Sequence, residues 1–256
     1  MTKTALITGT TSGIGYELCH QFAKNKINLV LVSRNEAKLL TQKHELQQLY
    51  GIEVEIISYD LTQKNAAGVI LQQVQEENIS IDYLVNNAGF NEVGKFLNTD
   101  LTNELNMIQL HITFITELTK YLLPAMTDRK YGRILNIAST GSYIPCPNDV
   151  VYAATKSYLL SFTKGLSGEL ANTGVTITAV CPGATKTNFS KKAGLDHSLL
   201  FKYFVMDAEV VAARSYQALM TGKKVRIIGL YNKLLVLFSK LLPSCLINQV
   251  SLKIMS

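Results

Sequence analysis

The chain has 256 residues, of which 47% are apolar and 17% charged, and its formal net charge is +6. That composition excludes an intrinsically disordered chain, and the length suits one large α/β domain that buries its core without staples. The basic residues are scattered, with runs no longer than Lys191-Lys192 and Lys223-Lys224, which weighs against nucleic acid as a partner.

Four cysteines (Cys19, Cys146, Cys181, Cys245) lie far apart with no CxxC spacing. This argues against a disulfide framework or a metal site and fits a reducing compartment. Met1 leads almost directly into the apolar run Ala5-Leu6-Ile7, with no charged leader, and no uncharged apolar run approaches the roughly 18 residues of a membrane span. A cytoplasmic protein is the expectation.

Residues 3–8 read as a short buried strand that ends in Thr8-Gly9-Thr10-Thr11-Ser12-Gly13-Ile14-Gly15. A helix follows from about Ser12 to Asn25, with Leu18, Phe22 and Ala23 on its inner face. A glycine-rich turn between strand and helix suits a dinucleotide. Gly9 lets the chain turn, Gly13 lets backbone approach the pyrophosphate, Gly15 lets helix and sheet pack closely, and the unpaired N–H groups of the helix start meet the phosphates. The second strand, Asn28–Ser33, is followed at once by Arg34. A hydroxyl and a guanidinium stand where an acidic residue would bind a ribose 2′-hydroxyl, so NADP(H) is favoured over NAD(H). A helix then runs to about Tyr50.

The third strand, Glu53–Tyr59, closes on Asp60-Leu61, placed to meet the adenine edge, and a helix covers about Gln63–Asn78. The fourth strand, Ile81–Val85, ends in Asn86-Asn87-Ala88-Gly89. Asparagines there can tie adjacent strand ends together, while Gly89 permits close approach of a cofactor; plain turn chemistry explains the same residues. One long helix is expected over Asp100–Thr127, carrying Leu101, Leu105, Ile108, Ile112, Ile115 and Leu122. Strand five, Gly132–Ala138, delivers Ser139 at its C-terminal end, where open parallel sheets bind ligands.

The helix Val150–Asn172 carries Tyr152 and Lys156 four residues apart, on one face. A free tyrosine keeps its proton to about pH 10, and a fixed positive charge beside it draws that value toward neutrality, where a general acid/base works. Strand six, Val175–Val180, runs into Cys181-Pro182-Gly183, then Thr185 and Thr187. Residues 184–206 lack a steady period and mix Phe189, Leu199, Phe201 and Phe204 with lysines, which reads as a lid over an apolar substrate, with a mobile surface excursion as the alternative. Asp207 is expected to cap a helix reaching about Met220, and Lys224–Ile228 to form a last strand.

Together these residues resemble the short-chain dehydrogenase/reductase family over residues 1–228. The matching set is Thr8-Gly9-x3-Gly13-x-Gly15, Asp60, Asn86-Asn87-Ala88-Gly89, Ser139, Tyr152-x3-Lys156 and Pro182-Gly183, in order and at family spacing. The resemblance implies a single doubly wound Rossmann domain, a seven-stranded parallel sheet flanked by helices, that binds NAD(P)H. It implies cofactor contacts from Gly9, Thr11, Ser12, Gly13, Ile14, Gly15, Ser33, Arg34, Asp60, Leu61, Asn87, Ala88, Gly89, Tyr152, Lys156, Pro182, Gly183, Thr185 and Thr187. By the same resemblance Tyr152 protonates a carbonyl oxygen that Ser139 positions. Lys156 holds the nicotinamide ribose and depresses the tyrosine pKa, and Thr187 contacts the carboxamide. The activity implied is an NADPH-dependent reduction of a lipophilic ketone, or the reverse oxidation, in a homodimer or homotetramer. A cofactor-binding regulatory protein without efficient chemistry is the alternative.

One departure is His111, which falls where the family's asparagine supports a water-linked proton relay to the lysine. Three readings stay open: an interior histidine with its bonds satisfied, a replacement for the asparagine in the relay, or the mark of a poorly active chain. A second feature lies outside the family core. Across 229–256, Leu230, Leu234, Leu237, Phe238, Leu241 and Leu242 fall on one side of a helical wheel, with Asn232, Lys233, Ser239 and Lys240 opposite. Packing of this extension on the body or on a subunit is the expectation. Contact with a membrane surface through 230–256 is the alternative.

Overall fold

A computed structural model describes residues 2–187 and 205–243, with positions 247 and 249. Strands β1 (Thr4–Thr8), β2 (Asn28–Ser33), β3 (Val54–Ser58), β4 (Tyr83–Asn86), β5 (Gly132–Ile137) and β6 (Val175–Cys181) build the sheet. The sheet is completed by Val225–Ile227, and its order is third, second, first, fourth, fifth, sixth and last strand. Every pairing is parallel. The order reverses between β1 and β4, and at such a switch point the loops beyond the strands part to leave a crevice.

The strands are apolar on both sides because helices cover both faces, as a parallel sheet requires. On one face Ala5, Ile7, Leu29 and Leu31 pack with Leu18, Phe22, Leu39 and Leu46 from α1 (Gly13–Lys24) and α2 (Glu36–Tyr50). On the other, Leu6, Val30, Leu84 and Ile134 meet Ile70 of α3 (Ala66–Glu76) and Leu118 of the helix Ile115–Asp128, with Leu159 of the helix Val150–Glu169. Each fully buried aliphatic side chain contributes about 1.5–3 kcal/mol. The expected seven-stranded doubly wound sheet is therefore present.

The long helix expected over Asp100–Thr127 is interrupted. It consists of α4 (Leu101–Ile108), a π-helical stretch over Gln109–Phe114, and α5 (Ile115–Asp128). Asp100 caps its start, accepting from the Asn103 N–H at 2.9 Å. Its named apolar positions divide: Ile115 and Leu122 are buried, whereas Leu101, Leu105 and Ile108 are exposed. The extra residue in the π turn sets Leu110, His111 and Phe114 inward together.

Helix α6 is Val150–Glu169. After β6, Thr185–Lys186 (β7) and Met206–Asp207 (β8) pair as a small separate parallel ladder. The lid expected across 184–206 thus begins and ends in that ladder, and its middle, 188–204, lies outside the described residues. Asp207 stands before α7 (Ala208–Met220) but makes no side-chain cap bond, contrary to expectation. β9 (Val225–Ile227) then leads to α8 (Leu230–Leu241).

The extension packs on the body, but not through its leucine row. Asn232 and Val236 of α8 are the residues buried against the body, whereas Leu230, Leu234, Leu237, Phe238 and Leu241 are exposed. Asn232 faces inward because its amide is used there: Nδ2 donates to Ile228 O at 2.6 Å, and the side chain packs against Gly183. No helix among the described residues is long and apolar enough to cross a membrane.

Candidate active site

A cavity of about 390 Å³ opens along the C-terminal ends of the strands. Its wall gathers Gly9, Thr11, Ser12, Gly13, Ile14, Ser33, Arg34, Asp60, Leu61, Asn87, Ala88, Gly89, Ser139, Tyr152, Lys156, Pro182, Gly183, Thr185 and Thr187. Of the residues singled out from the sequence, Gly15 and His111 do not line it. Gly15 lies behind the turn, where a side-chain carbon would strike Gly9 O and the Asn87 amide. Its part is to let the helix close on the turn, as expected, without touching the cavity.

The turn itself is held from below. Gly9 has φ +71° and donates its N–H to Val32 O at 2.8 Å, a conformation that side chains disfavour. The Thr8 hydroxyl accepts from the N–H groups of Asn87 and Ala88, each at 3.0 Å, and the Asn87 amide donates to Thr8 O at 2.9 Å. Asn86 donates to Asn136 at 2.8 Å, and Asn136 to Thr163 at 2.9 Å. These asparagines tie strand ends together and so exceed plain turn chemistry.

The residues fit a dinucleotide. Ser12 occupies the N-cap of α1 but makes no side-chain cap bond, so the first N–H groups of the helix face the cavity without a competing oxygen. A phosphate suits that position. At the far end the Thr11 and Ser33 hydroxyls lie 3.1 Å apart, and Arg34 Nη1 is 4.0 Å from Asp60 Oδ2. The Arg34 side chain is 66% exposed, leaving its guanidinium able to turn toward a ligand.

The catalytic end is built from β5 and α6. Ser139 follows β5 and accepts from the Gly141 N–H at 3.1 Å, while Ser142 Oγ donates to Lys156 O at 2.8 Å, so strand end and helix are locked together. Ser139 hydrogen-bonds the Tyr152 phenol, and Lys156 Nζ lies 5.5 Å from the Tyr152 ring centre. The ammonium donates to Ile137 O at 2.9 Å.

Burial acts on both groups here, and the expectation that Lys156 lowers the tyrosine is not met. Burial pushes the Tyr152 phenol up, the Asp149 carboxylate adds to that, and the Ser139 hydrogen bond opposes it. Burial also lowers Lys156 to about 8. Desolvation of the charged form is the largest influence on each.

His111 is fully buried behind Gly89. Its Nδ1 lies 3.0 Å from Thr155 Oγ1, and that hydroxyl donates its one proton to Tyr152 O at 2.8 Å. Nδ1 must therefore carry the hydrogen and donate. Nε2 is left with a lone pair and no partner among the described residues. Burial, followed by the Lys156 charge, holds the ring well below the ordinary histidine range, so it is neutral. One ring nitrogen of this buried histidine is thus bonded within the described residues, and the other is free to accept.

Phe90, Asn91, Cys146 and Asp149 also line the cavity, and the sequence reading missed them. Asp149 had a signal, since an aspartate immediately before a helix that carries Tyr152 is held close to it. Asn91 had none, because only the sheet brings its loop there.

The family model for short chain dehydrogenase matches residues 3–198. An uncharacterized oxidoreductase of Bacillus subtilis (strain 168) is 35% identical over 191 residues, covering 73% of this chain and 77% of that one. A putative ketoacyl reductase of Streptomyces coelicolor is 36% identical over 189 residues, covering 72% and 71%. Among solved structures, a short-chain dehydrogenase from Sphingobium yanoikuyae in complex with NADPH superposes with a TM-score of 0.83 at 29% identity, covering 93% and 94%. The bulky-bulky ketone specific alcohol dehydrogenase from Comamonas testosteroni gives 0.79 at 28% identity, covering 93% of each chain.

Proposed function

The chain belongs to the short-chain dehydrogenase/reductase family of oxidoreductases, and on that premise we propose that it reduces a lipophilic ketone with NADPH, or oxidises the corresponding secondary alcohol. The observation that carries this reading is the convergence of Ser139, Tyr152 and Lys156 on the cavity that begins at the glycine-rich turn. A nicotinamide bound there supplies the hydride. Tyr152, kept protonated by burial, holds the proton that the carbonyl oxygen takes up. Ser139 orients that oxygen, and Lys156 holds the ribose and restores the proton. Neutral His111 takes the asparagine's place in the relay, its Nε2 accepting from a water. His111→Asn altering the rate or its pH profile supports that role; an unchanged profile removes it.

Ser33 and Arg34 at the adenosine end support NADP(H) over NAD(H), as does the NADPH bound by the Sphingobium enzyme. The ketoacyl reductase relative and the bulky-ketone neighbour support a ketone substrate. A single catalytic domain over 1–228, a homo-oligomer, and an extension over 229–256 complete the reading.

The deciding experiment is NADPH oxidation by the purified protein against a panel of apolar ketones and acyl ketones, with NADH in parallel. Tyr152→Phe should lose about 10²–10⁴-fold in turnover, the range for removal of a general acid. Tight NADPH binding with no turnover of any carbonyl or alcohol would overturn the reductase reading and favour a regulatory protein.

A further inference from the structure

The substrate end of the cavity carries a carboxyl that proton transfer does not use. Asp149 lines the wall with Ser139 and Tyr152 and is only 6% exposed. It occupies the N-cap position of α6, yet makes no side-chain cap bond, so the carboxyl is not spent on the helix. The Lys156 charge is not among the influences on this carboxyl and does not neutralise it. Its hydrogen-bond partner is the Asn91 side chain, and its Oδ1 has no partner among the described residues.

Asn91 repeats the pattern. It lines the same wall, and its Oδ1 is also buried and without a partner among the described residues. An amide has two N–H donors and one oxygen acceptor, and the Asp149 carboxyl, which burial pushes up to about 7 against the Asn91 hydrogen bond, only accepts once ionised above that value. The Asn91–Asp149 pair uses a donor of the amide, so both orphaned atoms are acceptors. Buried acceptors without donors are costly, and this pair of acceptor atoms favours a ligand group that donates.

Spacing sets where that donor sits. Asp149 precedes the helix by one residue and Tyr152 by three, and its charge acts on the Tyr152 phenol, so the two side chains are neighbours on the wall. A carbonyl oxygen held by Tyr152 and Ser139 would leave Asp149 level with a group two or three carbons away.

We propose that Asp149 and Asn91 form a recognition site for a hydroxyl or N–H on the substrate, two or three carbons from the reacting carbonyl. The substrate class is then a hydroxy- or amino-ketone with an apolar remainder, not a plain ketone. The inference rests on the carbonyl-reductase reading and narrows it. Asp149 acts here in binding and is a specificity residue.

The test compares benzylacetone with its β-hydroxy derivative. Binding of each to the protein–NADPH complex is read by NADPH fluorescence, and turnover by NADPH oxidation, in the wild type, Asp149→Asn and Asp149→Ala. The ratio between the two ketones is taken within each variant, so any general loss cancels. The wild type should prefer the hydroxy ketone about tenfold or more, the scale of a hydrogen bond to a charged group. Asp149→Ala should bring the ratio near one, and Asp149→Asn, which keeps an oxygen in place, should keep part of the preference. A wild-type ratio near one, or the same ratio in Asp149→Ala, overturns the proposal and leaves the two oxygens to water. A binding preference without turnover of either ketone upholds the recognition site and sinks the reductase reading. Turnover of both without preference does the reverse.

Discussion

Burial raises Tyr152 and lowers Lys156 to about 8, and the two shifts together give the site a direction. A phenol that keeps its proton is ready to donate, which suits reduction, while oxidation needs it to give that proton up first. Lys156 stays charged below about pH 8, so kcat/KM for reduction should hold through neutrality and fall above that value, as read by a pH profile of NADPH oxidation. At the other end Arg34 is, among the described residues, the cation on the wall beside Ser33 and Asp60. Arg34→Ala should weaken NADPH binding about tenfold or more while changing NADH binding little, measured by titration with each cofactor. Most of these residues were legible in the sequence because each sits in a motif with its own chemistry. Asp149 and Asn91 were not, since a buried acceptor announces itself only once its missing partners can be counted.

At the level of elements, β2 ran over the residues its apolar run indicated, and most other strands came within a residue or two, because parallel strands buried on both faces read as apolar blocks. The π turn over Gln109–Phe114 could not be read, since apolar residues continue at helical spacing on both sides of it. It matters because it sets His111 behind Gly89, 2.7 Å from where a side chain at Gly89 would begin. Helix α8 was legible as a helix but not in its orientation. A wheel counts leucines, and the single amide that bonds Ile228 O and packs on Gly183 decided the matter. Gly183 lines the cavity, so α8 braces the cofactor site from outside. Asn232→Leu should weaken NADPH binding about tenfold and lower Tm by roughly 2–4 °C per kcal/mol lost, followed by titration and thermal melts.

Among the described residues, two apolar faces are presented to the surroundings. One is Leu101, Leu105 and Ile108 on α4, with Phe96 and Leu97 just before it. Isolated apolar residues on a surface need no explanation, but a row along one helix suits a contact. A homodimer through this face should appear by light scattering, and Leu101→Glu with Leu105→Glu should shift the protein toward monomer. The other face is the leucine row of α8, in a segment (229–256) that carries three lysines and no acidic residue. Lipid with anionic headgroups matches that charge, so the protein should sediment with phosphatidylserine vesicles and not with phosphatidylcholine alone, and Leu234→Ser with Leu237→Ser should release it. The brace that α8 supplies has a consequence for biosynthesis. Because Asn232 follows every strand of the sheet in the chain, a polypeptide still emerging from the ribosome can assemble nearly all of its Rossmann core with the loop around Gly183 unsupported. Cofactor capture should therefore be among the last events in maturation, and fragments ending near residue 228 should fold without retaining the nucleotide.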